Sequence, residues 1–186
     1  LTGEEVRQRF PYAQADEITD LYDLANAKGL VLLEALKTAF APGFQRMVAI
    51  ARGGTIGSIR SVDATFTKLI RTGREVDSAV GGAITELASY PLLAITKLLG
   101  NDPTEVICRS FTPEGSIVEQ FARIDLQYPH AIATAKVGIG VKAEGNLVVA
   151  GTRGYLYVPS PWWLTEYFET RFEGPRENRK YYYKYD

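Results

Sequence analysis

The sequence is short of the residues that most often carry chemistry. Its 186 residues include one cysteine, Cys108, and one histidine, His130. A single cysteine rules out an internal disulfide framework and fits a reducing, cytoplasmic compartment. The lone histidine sits in a Tyr128-Pro129-His130 turn with no second histidine or cysteine near it in sequence. It therefore reads as a turn residue, which argues against a metal cluster and against a Cys/His nucleophile pair. Charge of one sign is also missing: 21 Lys and Arg against 22 Asp and Glu leave −1, so no overall field draws in nucleic acid or an anionic membrane. Long apolar runs are absent. Leu87–Thr96, ten uncharged residues within the apolar stretch Val80–Gly100, is too short to cross a bilayer core of about 30 Å as a helix. The first residues, "LTGEEVRQRF", lack the apolar core of a signal peptide. The chain begins at Leu1 rather than Met, which reads as a cut through a longer polypeptide.

A nucleotide-phosphate fingerprint is missing as well. The glycine-rich pieces "ARGGTIG" and "GIGVKAEG" do not sit between a strand and a helix, as a dinucleotide or phosphate loop requires. The second is expected in a hairpin. The basic, aromatic tail "PRENRKYYYKYD" reads as a strand whose tyrosines alternate between faces rather than as a nucleic-acid stacking platform.

What is present is an ordinary globular balance, 46% hydrophobic and 23% charged, in a length that buries a sizeable core. The spacing of Ile18, Leu21, Tyr22 and Ala25 predicts a helix over Asp16–Lys28, with Asp16 capping its start and Gly29 following its end. The apolar run Leu30–Leu36 predicts a buried strand after it. A second helix is expected over Gly43–Gly54, with Phe44, Met47, Val48 and Ile50 inward, then an alternating strand from Ile59 through Phe66. Val80–Gly100 reads as a third helix. After it, strands are expected at Val106–Phe111, Ser116–Tyr128, Ala131–Lys142, Leu147–Ala150 and Tyr155–Pro159, with more in Leu164–Glu173 and Arg179–Tyr185. The turns between them, "TPEG", "YPH", "KAEGN" and "GTRG", are short enough to join antiparallel neighbours. A few helices on one face of a large, mainly antiparallel open sheet is an α+β layer architecture. The uncovered face invites a symmetric partner.

The candidate chemistry is sparse. Glu86 and Tyr90 are four residues apart, on one helix face. A phenol has a reference pKa of about 10, so as a proton donor it needs a nearby cation or a hydrogen-bonding carboxylate. Spacing alone favours a buried tyrosine with its hydroxyl bonded to a neighbour over one that faces a reaction site. Trp162 and Trp163, after two prolines in "PSPWW", either line a ligand pocket or bury at an interface.

Several segments, taken in order, resemble the Gfo/Idh/MocA oxidoreductases, NAD(P)-dependent sugar and dihydrodiol dehydrogenases. "LANAKGLVLLEALKTAFAPGFQRMVAIARGGTIGSIRSVDATF" resembles that family's Lys-Gly-strand-Glu-Ala, aromatic-Pro, helix and Gly-x-Ile-Gly strand. "GGAITELASYPLLAITKLLG" resembles its Gly-Gly-x-(Leu/Ile)-x-Asp-x-Gly-x-(Tyr/His) helix, and "GTRGYLYVPSPWW" its Gly-Thr-x-Gly strand ending in aromatics. The resemblance implies that residues 1–38 are the last helix and strand of an N-terminal Rossmann domain. Residues 39–186 are then the C-terminal α+β domain for substrate binding and oligomerisation. It implies NAD or NADP held mainly by the part absent from this chain, a small-molecule substrate of the sugar or polyol type, and a homodimer or higher assembly through the sheet face. Residue by residue, Tyr90 matches the proton carrier, Glu86 stands in the place of an aspartate that orients it or the substrate, and Lys37 supplies charge at the mouth of the site. Trp162 and Trp163 become candidate substrate contacts, and Glu34 falls on the cofactor side. Gly81 and Gly82 then mark where the helix head nears the cofactor domain. The departures are specific. One extra methylene moves the Glu86 carboxylate by roughly a C–C bond length, Ala88 replaces a common glycine, and Lys37 and Ala39 replace a common aromatic and arginine. Those departures support an alternative of another class, a non-catalytic binding or assembly module that keeps the sheet.

Overall fold

The computed structural model describes residues 15–32 and 36–184. The chain separates into two compact units, Leu1–Ala35 and Leu36–Asp186. In the first, helix α1 spans Ala15–Ala27. Gly29, at φ +64°, ends it: the Leu30 N–H donates to the Ala25 carbonyl at 2.8 Å and the Gly29 N–H to Asn26 at 3.1 Å. That double closure needs a left-handed residue, which glycine adopts without strain. Leu21 and Leu24 of α1 are 54% and 52% exposed. The strand expected at Leu30–Leu36 is not found. Leu30–Leu32 belong to no strand, Leu36 leads into a 3-10 turn at Lys37–Phe40, and residues 33–35 lie outside the described residues. A parallel strand is held by hydrogen-bonded neighbours, and none of the described strands pairs with this segment.

The second unit is built on one eight-stranded sheet. Its strands are β1 Ile59–Lys68, β2 Glu105–Phe111, β3 Phe121–Gln127, β4 Ile132–Ile139, β5 Leu147–Gly151, β6 Gly154–Val158, β7 Tyr167–Phe172 and β8 Arg179–Tyr182. They lie in the order β2-β3-β4-β1-β5-β6-β7-β8. Every neighbouring pair is antiparallel except β1 with β4. The expected open, mainly antiparallel α+β sheet is therefore present, with two local differences. "GIGVKAEG" does not close a hairpin, because β1 lies between β4 and β5. And β3 starts at Phe121 rather than Ser116. The Ser116 hydroxyl donates to the Val118 carbonyl at 2.7 Å and accepts from the Val118 N–H at 3.3 Å, a local turn that competes with strand pairing.

One face of the sheet carries the core. Val62, Ala64 and Phe66 of β1, Ala122, Ile124 and Leu126 of β3, and Ala133, Ala135 and Val137 of β4 are buried there, as their alternation requires. Helix α2, Pro42–Arg52, begins with proline in its first turn, where no intrahelical donor is lost. It buries Phe44, Met47 and Ile50 and is closed by Gly53. After a single helical turn, α3 at Arg74–Asp77, the stretch Val80–Gly100 forms two helices rather than one: α4, Ala83–Leu87, and α5, Ser89–Leu99. Pro91 explains the break. It has no N–H for the Leu87 carbonyl, and its ring crowds that group. α4 packs on β3 and β4, and α5 on β1 and β4, where Ala133 and Ala135 keep the surface low enough for close approach.

The opposite face of the sheet is open, with Ile107 and Ile132 38% and 54% exposed. Across β6, β7 and β8 it carries a polar and aromatic network. Glu169 accepts from Arg171 Nε at 2.6 Å and from the Tyr167 hydroxyl, and the Arg171 guanidinium lies 4.5 Å from the Tyr157 ring centroid. The Arg171 hydrogen bond holds the Glu169 carboxyl below its ordinary range. Burial, reinforced by the bond to Glu169, pushes the Tyr167 phenol up. Because the folded carboxyl titrates below the unfolded one, its stabilisation is complete above the usual carboxylate value of about 4.3 and disappears as the folded group protonates below it. Glu169→Gln is therefore expected to lower the melting temperature at about pH 7 and to make no difference at about pH 2. Thermal melts at the two pH values check this, and an equal loss at both would contradict it.

Candidate functional site

The C-terminal end of β1 gathers the candidate groups. Phe66, on the core face and 2% exposed, has the Trp163 ring stacked on it at 3.8 Å and 16°. The Tyr90 ring meets it edge-on at 5.0 Å and 86°. Two residues along the same face of β1, Lys68 holds its ammonium 5.4 Å from the Phe66 centroid. The Trp163 carbonyl accepts from the buried Thr38 hydroxyl at 2.8 Å. This ties the indole to the Lys37–Phe40 turn, on which Lys37 is exposed. Behind the indole, a Cβ on Gly145 would come to 3.0 Å of the ring, so glycine lets the 140–146 loop lie flat against it.

The result is an aromatic wall, Tyr90–Phe66–Trp163, with an amine in contact at Lys68. The Tyr90 hydroxyl has no hydrogen-bond partner among the described residues and is not enclosed by the protein. The buried, satisfied tyrosine that spacing alone favours is therefore not what is found. Hollows elsewhere on the unit are lined by other residues. Phe66 is buried in this cluster, so the half-buried Trp163 ring and the Tyr90 hydroxyl are what it can present to a ligand with an apolar face and hydroxyls.

Glu86 is not brought to Tyr90. Its Oε1 pairs with Arg74 Nη2 at 2.8 Å, the carboxylate side 17% exposed and the arginine 60%. Trp162 is also not where a substrate contact belongs. It is 0% exposed, and its indole N–H donates to the Thr65 carbonyl at 2.9 Å, so it is an anchor in the core. Gly81 and Gly82 do not face outward either. Both are buried, and a Cβ would strike the Glu75 carbonyl at 2.5 Å at Gly81 and the Glu119 carboxylate at 2.6 Å at Gly82. That same Glu119 carboxylate accepts from the Ile84 N–H at 2.8 Å and so caps α4. Glu34 lies outside the described residues. His130 stands in the turn before β4, its carbonyl accepting from Arg60 at 3.0 Å. Among the described residues no three His, Cys, Asp or Glu side chains are grouped to hold a metal. No helix of the described residues is long and apolar enough to cross a membrane.

Sequence reasoning did not single out Phe66, Lys68, Arg74 or Thr38 for this site. Phe66 and Lys68 carry a signal, the alternation that puts them on one face at the end of β1. Arg74 and Thr38 carry none, since their partners are set by tertiary packing.

The family described as GFO/IDH/MocA C-terminal domain matches residues 44–157. Trans-1,2-dihydrobenzene-1,2-diol dehydrogenase of Bos taurus is 28% identical over 152 residues, which are 80% of this chain and 45% of that protein. The chain thus spans about half the length of the curated relatives it matches. A 3-ketoreductase from Actinomadura kijaniata, solved with NADP and TDP-benzene, superposes with a TM-score of 0.76 at 20% identity, over 89% of this chain and 53% of that one. An inositol dehydrogenase homologue from Azotobacter vinelandii, solved with NADH and myo-inositol, gives 0.73 at 17% identity, over 90% and 46%.

Proposed function

This chain belongs to the GFO/IDH/MocA C-terminal domain family, and from that premise we propose that it is the substrate-binding and oligomerisation part of an NAD(P)-dependent oxidoreductase. The reaction proposed is oxidation or reduction at a carbon bearing a hydroxyl or carbonyl, on a sugar or polyol. The observation that carries this reading is the free Tyr90 hydroxyl at the edge of the Phe66–Trp163 wall.

The described residues do not cradle a dinucleotide, since among them no glycine-rich turn joins a strand to the start of a helix. The nucleotide is then held by a preceding domain, to which the helix Ala15–Ala27 of residues 1–38 would belong. The exposed Leu21, Leu24, Leu30 and Val31 supply apolar surface for the rest of that domain. When bound, the nicotinamide exchanges hydride with the substrate carbon. The chain's own residues do the remainder. The half-buried Trp163, backed by the buried Phe66, packs against the apolar face of the substrate, and the Tyr90 hydroxyl bonds the reacting oxygen and takes or returns its proton. Lys68 and Lys37 favour negative charge on that oxygen. Glu86, held by Arg74, is left outside the proton path. By itself the 186-residue chain is expected to be inactive.

The open sheet face is proposed to pair with a second copy. Its exposed Ile107 and Ile132 and the tyrosines of β6 to β8 support a homodimer or larger assembly. Sedimentation at the mass of a single copy would contradict that. A second reading, a binding module without chemistry, is favoured by the withdrawal of Glu86 into its pair with Arg74. The deciding experiment is an assay of the full-length protein with NAD and with NADP over a panel of sugars and polyols. Nicotinamide turnover with at least one of them is expected. Saturable sugar binding with no turnover would leave the binding module standing instead.

A further inference from the structure

We propose that a second ligand site, sharing no residue with the Tyr90 wall, lies between α2, β7 and β8 and takes the phosphate group of a small phosphorylated molecule. A hollow of about 510 Å3 opens there, with Arg46 of α2, Arg176, Asn178, Arg179 at the start of β8, and Thr170 of β7 on its lining. The volume is in the range that holds small organic ligands, about 300–1,000 Å3.

Two independent observations point to a ligand. The first is charge. Three arginines share this lining with a single acid, Glu177. None of the three guanidinium groups is ion-paired or hydrogen-bonded among the described residues. Guanidinium groups collected without counter-charge favour an anion, and their forked donors match a phosphate's paired oxygens. The second is Thr170. It is 0% exposed, and its hydroxyl is the one buried side-chain polar atom that has no hydrogen-bond partner among the described residues. Elsewhere in this unit buried hydroxyls are used: Thr38 donates to the Trp163 carbonyl, Thr67 accepts from the Ala143 N–H, and Thr165 donates to the Trp162 carbonyl. The alternation of β7 sets Thr170 beside Phe168 on the face that α2 covers. Valine has the same shape and would leave nothing unpaired. Thr170 is on the lining of that hollow, so the one buried hydroxyl left without a partner lies against the space the arginines surround, one small side-chain shift from donating to what enters. Asn178 adds to the floor: its Oδ1 accepts from the Phe172 N–H at 2.8 Å, which fixes the side chain and leaves its amide N–H groups to donate.

The test is calorimetric titration of the full-length protein at low ionic strength with inorganic phosphate, with glycerol phosphate, and with acetate. The proteins compared are the wild type, the double variant Arg46→Ala/Arg179→Ala, and Thr170→Val. Phosphate or its ester is expected to bind the wild type, and the double variant to lose at least about tenfold in affinity. Thr170→Val is expected to lose several-fold while melting no lower than the wild type, since it removes an unpaired buried group. That melting result separates a lost ligand contact from a damaged fold. Glycerol phosphate binding more tightly than phosphate identifies an ester as the ligand, and equal affinities identify the free ion. Tyr90→Phe is expected to leave this binding unchanged, so the site stands or falls apart from the proposed reaction. Equal affinity in wild type and double variant, equal affinity for acetate and phosphate, or no binding up to about 10 mM phosphate would overturn it.

Discussion

Trp162→Ala is expected to lower the stability of the protein by about 4 kcal/mol, at the high end of what core truncations cost. Trp162 is completely buried, so removing the indole leaves a cavity among neighbours fixed by β1 and the 140–146 loop. The loss is more than volume. The indole N–H is the donor to the Thr65 carbonyl in β1 at 2.9 Å, and alanine leaves that carbonyl without it. Trp162→Phe fills much of the space but leaves the Thr65 carbonyl short of a donor, and about 1–3 kcal/mol is expected there. Denaturant unfolding midpoints at constant m-value give both numbers. A Trp162→Ala variant within about 1 kcal/mol of wild type would mean that the indole is not the anchor of this corner.

Tyr90→Phe carries the largest functional effect. The ring keeps its edge-on contact with Phe66, so substrate should still pack on the wall and KM should move little. Only the hydroxyl that holds and moves the proton is lost, and general acid–base contributions of this kind are about 10²–10⁴-fold in rate. A fall of that size in kcat at nearly constant KM is the signature of a group used in the transition state rather than in binding. Steady-state kinetics of the full-length protein read both constants. A raised KM with kcat intact would demote Tyr90 to a substrate contact.

Most of the sheet was legible because alternation is a local property. Val62, Ala64 and Phe66, or Ala133, Ala135 and Val137, show their buried side in the sequence alone. The insertion of β1 between β4 and β5 was not, because a turn of suitable length says nothing about a strand arriving from 70 residues earlier in register with Ile132–Ile139. The break in Val80–Gly100 was written at Pro91, a residue without an N–H. At the site, i to i+4 spacing placed Glu86 and Tyr90 on neighbouring turns but could not name their partners. Arg74 and Phe66 come from other elements. Trp162 and Trp163 look alike in sequence, yet one turns into the core and the other onto Phe66. The hydrogen bond that orients the second, from Thr38, spans 125 positions.

Single-turnover rates of the full-length protein, wild type against Tyr90→Phe, test most directly whether the Tyr90 hydroxyl carries the substrate's proton. A rate lower by about 10²–10⁴-fold in the variant, at unchanged substrate affinity, is the predicted result. Equal single-turnover rates in the two proteins would contradict it.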